Sequence, residues 1–321
     1  MSENHASDLS GSVAGNAASG QASDGASDGA GELQLAPGER APVEVANLHA
    51  ASPLLVLCDH ASNALPAQLG DLGLAPSLLR RHIAWDAGAA DVAAQLAVRF
   101  DATLIKGGYS RLVIDLNRHP GDPGSVPEVS DGYPIPGNRG LGAARIERRR
   151  ELFFWPYHDA VDAALGRIRA RGQVPLLIAV HSFTPAPQSC DRPRPWHVGV
   201  LWEGDARVSL PLLERLHAEP DLCVGDNQPY HPRHPAGFTV DVHALSRGYP
   251  HVLLEIRKDQ INTPAGALRW AQRLGDILAS VLSDQSIYRI EVPEHVQGAQ
   301  LHPRYRGGVP DRRSGESQPH Q

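Results

Sequence analysis

Leu176-Leu177-Ile178-Ala179-Val180-His181-Ser182 is an apolar run of strand length closed by a histidine and a serine. It does not alternate polar with apolar, the mark of a strand covered on both faces. Runs of the same kind recur at 54–58, 103–106, 112–115, 198–202 and 252–256. Helical patterns lie between them. Residues 86–100 are Ala-rich with an acidic first turn, 141–171 are long and charged, 210–217 are short, and 262–282 open on Asn262-Thr263-Pro264, a cap followed by proline. Strands alternating with helices predict a three-layer α/β/α domain around a central mixed, mainly parallel sheet.

Outward from that core the composition changes. Residues 1–42 of the 321 are mostly Ser, Gly, Ala, Asp and Asn, without apolar periodicity, and read as a disordered head. Residues 298–321 turn to Gly, Arg, Pro, Ser and Gln and read as a flexible tail, leaving one domain over 43–297. The net charge is −6, and the head holds six acids against one base, so the domain is near neutral and carries no footprint for nucleic acid. No apolar run is long enough to span a membrane, and no signal segment opens the chain. Cys58, Cys190 and Cys223 lie far apart and form no CxxC pair, which fits a reducing compartment and predicts a cytoplasmic protein. The sequence specifies no oligomeric state.

In such sheets ligands sit outside the carboxyl ends of the strands. There the chain places Asp59-His60-Ala61-Ser62-Asn63, Asp115-Leu116-Asn117-Arg118, His181-Ser182 and Glu255-Ile256-Arg257. Apolar strands have no folding reason to end repeatedly in histidine, arginine and carboxylate. His60, His181 and Asp86 make a reasonable His2Asp set for a catalytic zinc. Each also has a plainer reading, a hydrogen-bonded structural histidine or an acid capping a helix. Glu255, inside an apolar strand, needs either an ion pair with Arg257 or a proton-transfer role. Arg111, Asn117 and Arg118 concentrate donors suited to a substrate carboxylate, although the arginines could equally be surface cations or partners of Asp115. His243 is a candidate for substrate or oxyanion contact, or a satisfied polar residue. Neither Ser62 nor Ser182 sits in a Gly-x-Ser-x-Gly turn, which argues against a serine hydrolase. The Gly- and Pro-rich stretch 122–140 reads as a long loop able to fold over the site.

Five stretches taken in order, Cys58-Asp59-His60-Ala61-Ser62-Asn63, Trp85-Asp86-Ala87-Gly88, the run 111–118, His181-Ser182-Phe183-Thr184-Pro185 and Leu254-Glu255-Ile256-Arg257, resemble the N-formylglutamate amidohydrolase family. The Asp-His-Ala-Ser-Asn form of the first resembles a divergent branch of it. The resemblance implies a zinc-exopeptidase-like (phosphorylase/hydrolase-like) fold and hydrolysis of N-formyl-L-glutamate to formate and L-glutamate, as in histidine breakdown. It implies one Zn2+ per chain on His60, Asp86 and His181, with Glu255 as the catalytic carboxylate. Arg111, Asn117, Arg118, His243 and Arg257 are then the expected substrate contacts, the Asn117-Arg118 pair looking like the carboxylate grip of zinc carboxypeptidases. One departure stands out: a carboxypeptidase-style His-x-x-Glu would put an acid at position 63, where this chain has Asn63. Carboxypeptidase or deacylase activity on another carboxylated amide, and non-catalytic binding on the same fold, are the rival readings.

Overall fold

All five residues of 54–58 and all eight of 176–183 are buried, as strands covered on both faces must be. The computed structural model describes residues 32–189, 192–230 and 237–294. The strands in chain order are β1 (Val43–Ala46), β2 (Leu54–Cys58), β3 (Thr103–Gly107), β4 (Val129–Ser130), β5 (Tyr133–Pro134), β6 (Leu176–Phe183), β7 (Val198–Leu201), β8 (Val224–Asp226) and β9 (His251–Arg257). Among the described residues the main sheet has seven strands in the order β1-β3-β2-β6-β9-β7-β8, with β4 and β5 forming a separate small hairpin. The pairs β2–β3, β2–β6, β6–β9 and β7–β8 are parallel, while β1–β3 and β7–β9 are antiparallel. The sheet is therefore mixed and mainly parallel.

The helices are α1 (Pro76–Leu79), α2 (Ala89–Arg99), α3 (Ala143–Arg149), α4 (Trp155–Ala170), α5 (Ser209–His217), α6 (Thr239–His243), α7 (Lys258–Ile261) and α8 (Pro264–Leu282). Leu54, Val56, Leu176, Ile178, Val180 and Leu254 face the layer of α2, α5 and α8. Leu55, Leu57, Leu177 and Ala179 face the layer of α4 and α6. Because side chains alternate along a strand, His181 and Glu255 share the second face, and the β6–β9 register sets them directly opposite each other. No helix among the described residues is long and apolar enough to cross a membrane.

The sequence reading is corrected at four places. Residues 112–115 are no strand: the Leu112 carbonyl accepts from Asn138 Nδ2 at 2.9 Å and the Val113 carbonyl from Arg149 Nη1 at 2.9 Å, so side chains replace a neighbouring strand. The helix over 141–171 is two helices, α3 and α4, joined through a π-turn at 150–154. Residues 32–42, assigned to the head, carry Leu33 and Leu35 against the core, and the Arg40 carbonyl accepts from Tyr109 Oη at 2.7 Å. The stretch 122–140 contributes no residue to the lining of the cavity described below. Residues 1–31 and 295–321, most of the expected head and tail, lie outside the described residues, as does Cys190.

Arg149 is 2% exposed, and its Nη1 also donates to Asn138 Oδ1 at 2.8 Å. Burial, with Arg145 nearby, lowers its pKa to about 10. Arg149→Met is expected to strand two buried acceptors, at about 1–3 kcal/mol each. Thermal unfolding should show the loss as a fall in midpoint of several degrees.

Candidate metal and amide-hydrolysis site

His60 follows the end of β2, and its backbone carbonyl accepts from the Asp86 N–H at 2.9 Å, which ties the first polar strand end to the turn that opens α2. That turn needs glycine next: Gly88 has φ +84°, and a Cβ there would meet the Ile261 carbonyl oxygen at 2.0 Å. Asp86 is thereby held facing His60 and, across the sheet, His181. Its Oδ2 lies 3.2 Å from His60 Nδ1 and 3.0 Å from His181 Nδ1. One donor atom from each of the three buried residues falls within 4.8 Å of the others.

The outer nitrogens of the two rings are also engaged. His60 Nε2 is 2.7 Å from Asp115 Oδ1. His181 Nε2 is 3.2 Å from Asp59 Oδ2, an ion-pair distance. Tyr157 Oη donates to the other oxygen of Asp59. A carboxylate stands behind each ring, Asp115 behind His60 and Asp59 behind His181, a second layer typical of metal-binding imidazoles. Two nitrogens and a carboxylate are the donor set of an open zinc site. Burial opposes charge on His181, but Asp59 and Asp86 outweigh it and raise its pKa well above the ordinary value. Burial likewise opposes ionisation of Asp86, and the two histidines overcome it, so the carboxyl stays ionised far down the pH scale.

Glu255 faces this cluster from β9. It is 7% exposed, and its Oε2 has no hydrogen-bond partner. Burial, reinforced by Asp86 and resisted by His181, raises its pKa to about 7. Opposite it on β7 stands Gly199, where a Cβ would meet the Gln228 carbonyl oxygen at 1.8 Å. The missing side chain lets the 227–230 segment lie close, and Tyr230 joins the cavity wall.

Arg111, Asn117 and Arg118 line the same cavity. Arg111 donates to Asp115 through Nε at 3.0 Å and Nη2 at 2.5 Å, so its plainer reading as a partner of Asp115 holds alongside its place at the site. Asn117 Oδ1 accepts from the Phe238 and Thr239 N–H groups at 2.8 and 3.0 Å, which leaves Nδ2 as the donor for the cavity. Asn63 lies apart from the donor cluster and donates to the Leu79 carbonyl at 3.0 Å.

Two expected substrate contacts are not brought to the cavity. His243 is fully buried on α6, 3.0 Å from His158 Nδ1 and 3.2 Å from Asp162 Oδ1. Arg257, one pleat beyond Glu255, turns out to Asp259 at 2.8 Å and the Pro195 carbonyl at 2.9 Å, so its ion pair with Glu255 does not form. The residues that the sequence reading missed fall in two groups. Asp59 and Asp115 stood inside the polar strand ends, and a carboxylate beside each histidine was the available signal. Tyr230, Asp241 and His251 also line the cavity and come from segments that carry no motif.

Comparison with known proteins places the chain in a family. The profile of the N-formylglutamate amidohydrolase family matches residues 52–262. No curated protein matches the sequence. The crystal structure of a gene product of Agrobacterium tumefaciens is similar at 35% identity and a TM-score of 0.73, over 77% of this chain and 96% of that one. That of N-formylglutamate amidohydrolase from Ralstonia eutropha is similar at 21% identity and a TM-score of 0.54, over 75% of this chain and 97% of that one, and shows the shared fold. The chain belongs to the N-formylglutamate amidohydrolase family.

Proposed function

We propose that this chain is a zinc-dependent amidohydrolase acting on an N-acyl amino acid, with N-formyl-L-glutamate, split to formate and L-glutamate, as the reference substrate. The observation that carries the reading is the unpartnered Glu255 carboxyl facing the buried His60, Asp86 and His181 donors in one cavity with Arg111, Asn117 and Arg118. A zinc ion held by His60, Asp86 and His181 would supply Lewis acidity to the amide carbonyl and to water.

The protein's own groups do the rest. Glu255, poised near neutrality by burial, takes a proton from the attacking water and delivers it to the amide nitrogen as the C–N bond breaks. Asn117 Nδ2, with the Arg118 and Arg111 guanidiniums beside it, holds the substrate carboxylate and so fixes the amide relative to Glu255. Asp59 and Asp115 keep the histidine rings in register.

The test is metal content of the purified chain together with formate release from N-formyl-L-glutamate. About one zinc per chain and release abolished by a chelator and restored by zinc are expected. A chain that takes up no metal when zinc is supplied would overturn the reading.

A further inference from the structure

The cavity does not end at Glu255. Along the same face of β9 it continues over Leu253 to His251, a span on the order of 13 Å at the rise of a β-strand. Leu201, which pairs with Leu253, and Val240 and Leu245 add apolar lining. Its polar groups are of a different kind from those around Arg118.

His251 is 2% exposed, and its Nδ1 lies 2.9 Å from the Tyr249 carbonyl. Burial lowers its pKa, so the ring is neutral, Nδ1–H donates to that carbonyl, and Nε2 is left as a lone-pair acceptor with no partner among the described residues. Asp241, on α6, also lines the cavity, close enough to Glu203 to feel its charge, and makes no hydrogen bond or ion pair among the described residues. Burial and the negative charge of Glu203 raise its carboxyl to about 7, which a neighbouring cation would reverse. Among the described residues neither group has a donor partner, and a cationic donor would both fill the His251 acceptor and favour the ionised Asp241 carboxylate.

We propose that the arm between Glu255 and His251 receives the side chain of the substrate amino acid and selects a cationic one, an ammonium or guanidinium bound by Asp241 and His251 Nε2. This rests on the amidohydrolase reading. A glutamate side chain in the arm would set a second carboxylate against Asp241, with no basic residue among the described lining of the arm to receive it.

The experiment compares kcat/KM of the zinc-loaded protein for N-formyl-L-arginine, N-formyl-L-lysine, N-formyl-L-norleucine and N-formyl-L-glutamate. The basic substrates are expected to exceed the acidic one by at least about tenfold. Asp241→Asn should lower the basic-to-neutral ratio about tenfold, and Asp241→Arg should move the preference toward glutamate. A wild-type preference for N-formyl-L-glutamate, or an Asp241→Asn protein that loses all substrates equally, overturns the inference while leaving the amidohydrolase reading standing. If no substrate is hydrolysed, that reading fails instead. Calorimetric binding of N-formyl-L-arginine and N-formyl-L-glutamate to the Glu255→Gln protein then decides the arm: tighter binding of the arginine compound supports it, and equal or weaker binding overturns it.

Discussion

Glu255→Gln is expected to lower turnover by about 10²–10⁴-fold, the usual contribution of a positioned acid or base, while the protein still holds about one zinc per chain. Glutamine keeps the volume and the β9 register opposite His181, so packing is preserved and only the capacity to carry a proton is lost. The substitution also removes a carboxyl whose ionised form is disfavoured by burial, as its pKa near 7 records. The thermal midpoint should therefore hold or rise. Formate release, metal analysis and a melting curve on the same preparation check all three. Loss of metal together with turnover would make Glu255 a ligand and remove it from the proton-transfer role.

His181→Ala should remove metal and activity together. The deletion takes one of the three proposed ligand atoms and leaves Asp59 and Asp86, both buried, without the imidazole that holds their charge. Breaking a buried pair of this kind costs about 3–5 kcal/mol, so the metal-free midpoint should fall by roughly 6–20 °C for a domain of this size. Asp59→Asn is the informative contrast. It keeps every ligand and weakens only the support behind His181, for which about 10–100-fold in metal affinity is expected. Zinc titration of the two variants separates the roles, and a His181→Ala protein with wild-type zinc affinity would exclude His181 from the site.

The sheet was legible where the chain spends apolar residues without interruption. β2 is wholly apolar, and β6 and β9 carry the uninterrupted apolar stretches 176–180 and 252–254, as their buried faces require. β1 and β8 were not: Val-Glu-Val-Ala is a half-exposed edge, and Val-Gly-Asp is three residues long, so neither needs an apolar run. Residues 112–115 misled in the opposite sense, since their apolar run is buried by side-chain hydrogen bonds from Asn138 and Arg149. At the site, His60, Asp86, His181 and Glu255 were legible because strand ends and a helix start deliver them. Periodicity put Arg257 on the face of Glu255, but β9 ends there and the side chain follows Asp259 outward. Asp241 and His251 become neighbours of the cavity only through the way α6 and the start of β9 fold back, which no local pattern records.

The pairing of His181 with Glu255 across β6 and β9 makes the site a property of one seam of backbone hydrogen bonds. A slip of a single residue along that seam would swing Glu255 into the layer of α2 and α8 and bury Leu254 against the donor cluster. The chemistry cannot be half assembled: the central strands either zip in the one register that brings acid and imidazole face to face, or the chain has no site. Folding of the seam is thus what assembles the site, and the proposed side-chain arm, drawing on α6 and the start of β9, can be retuned without reopening it.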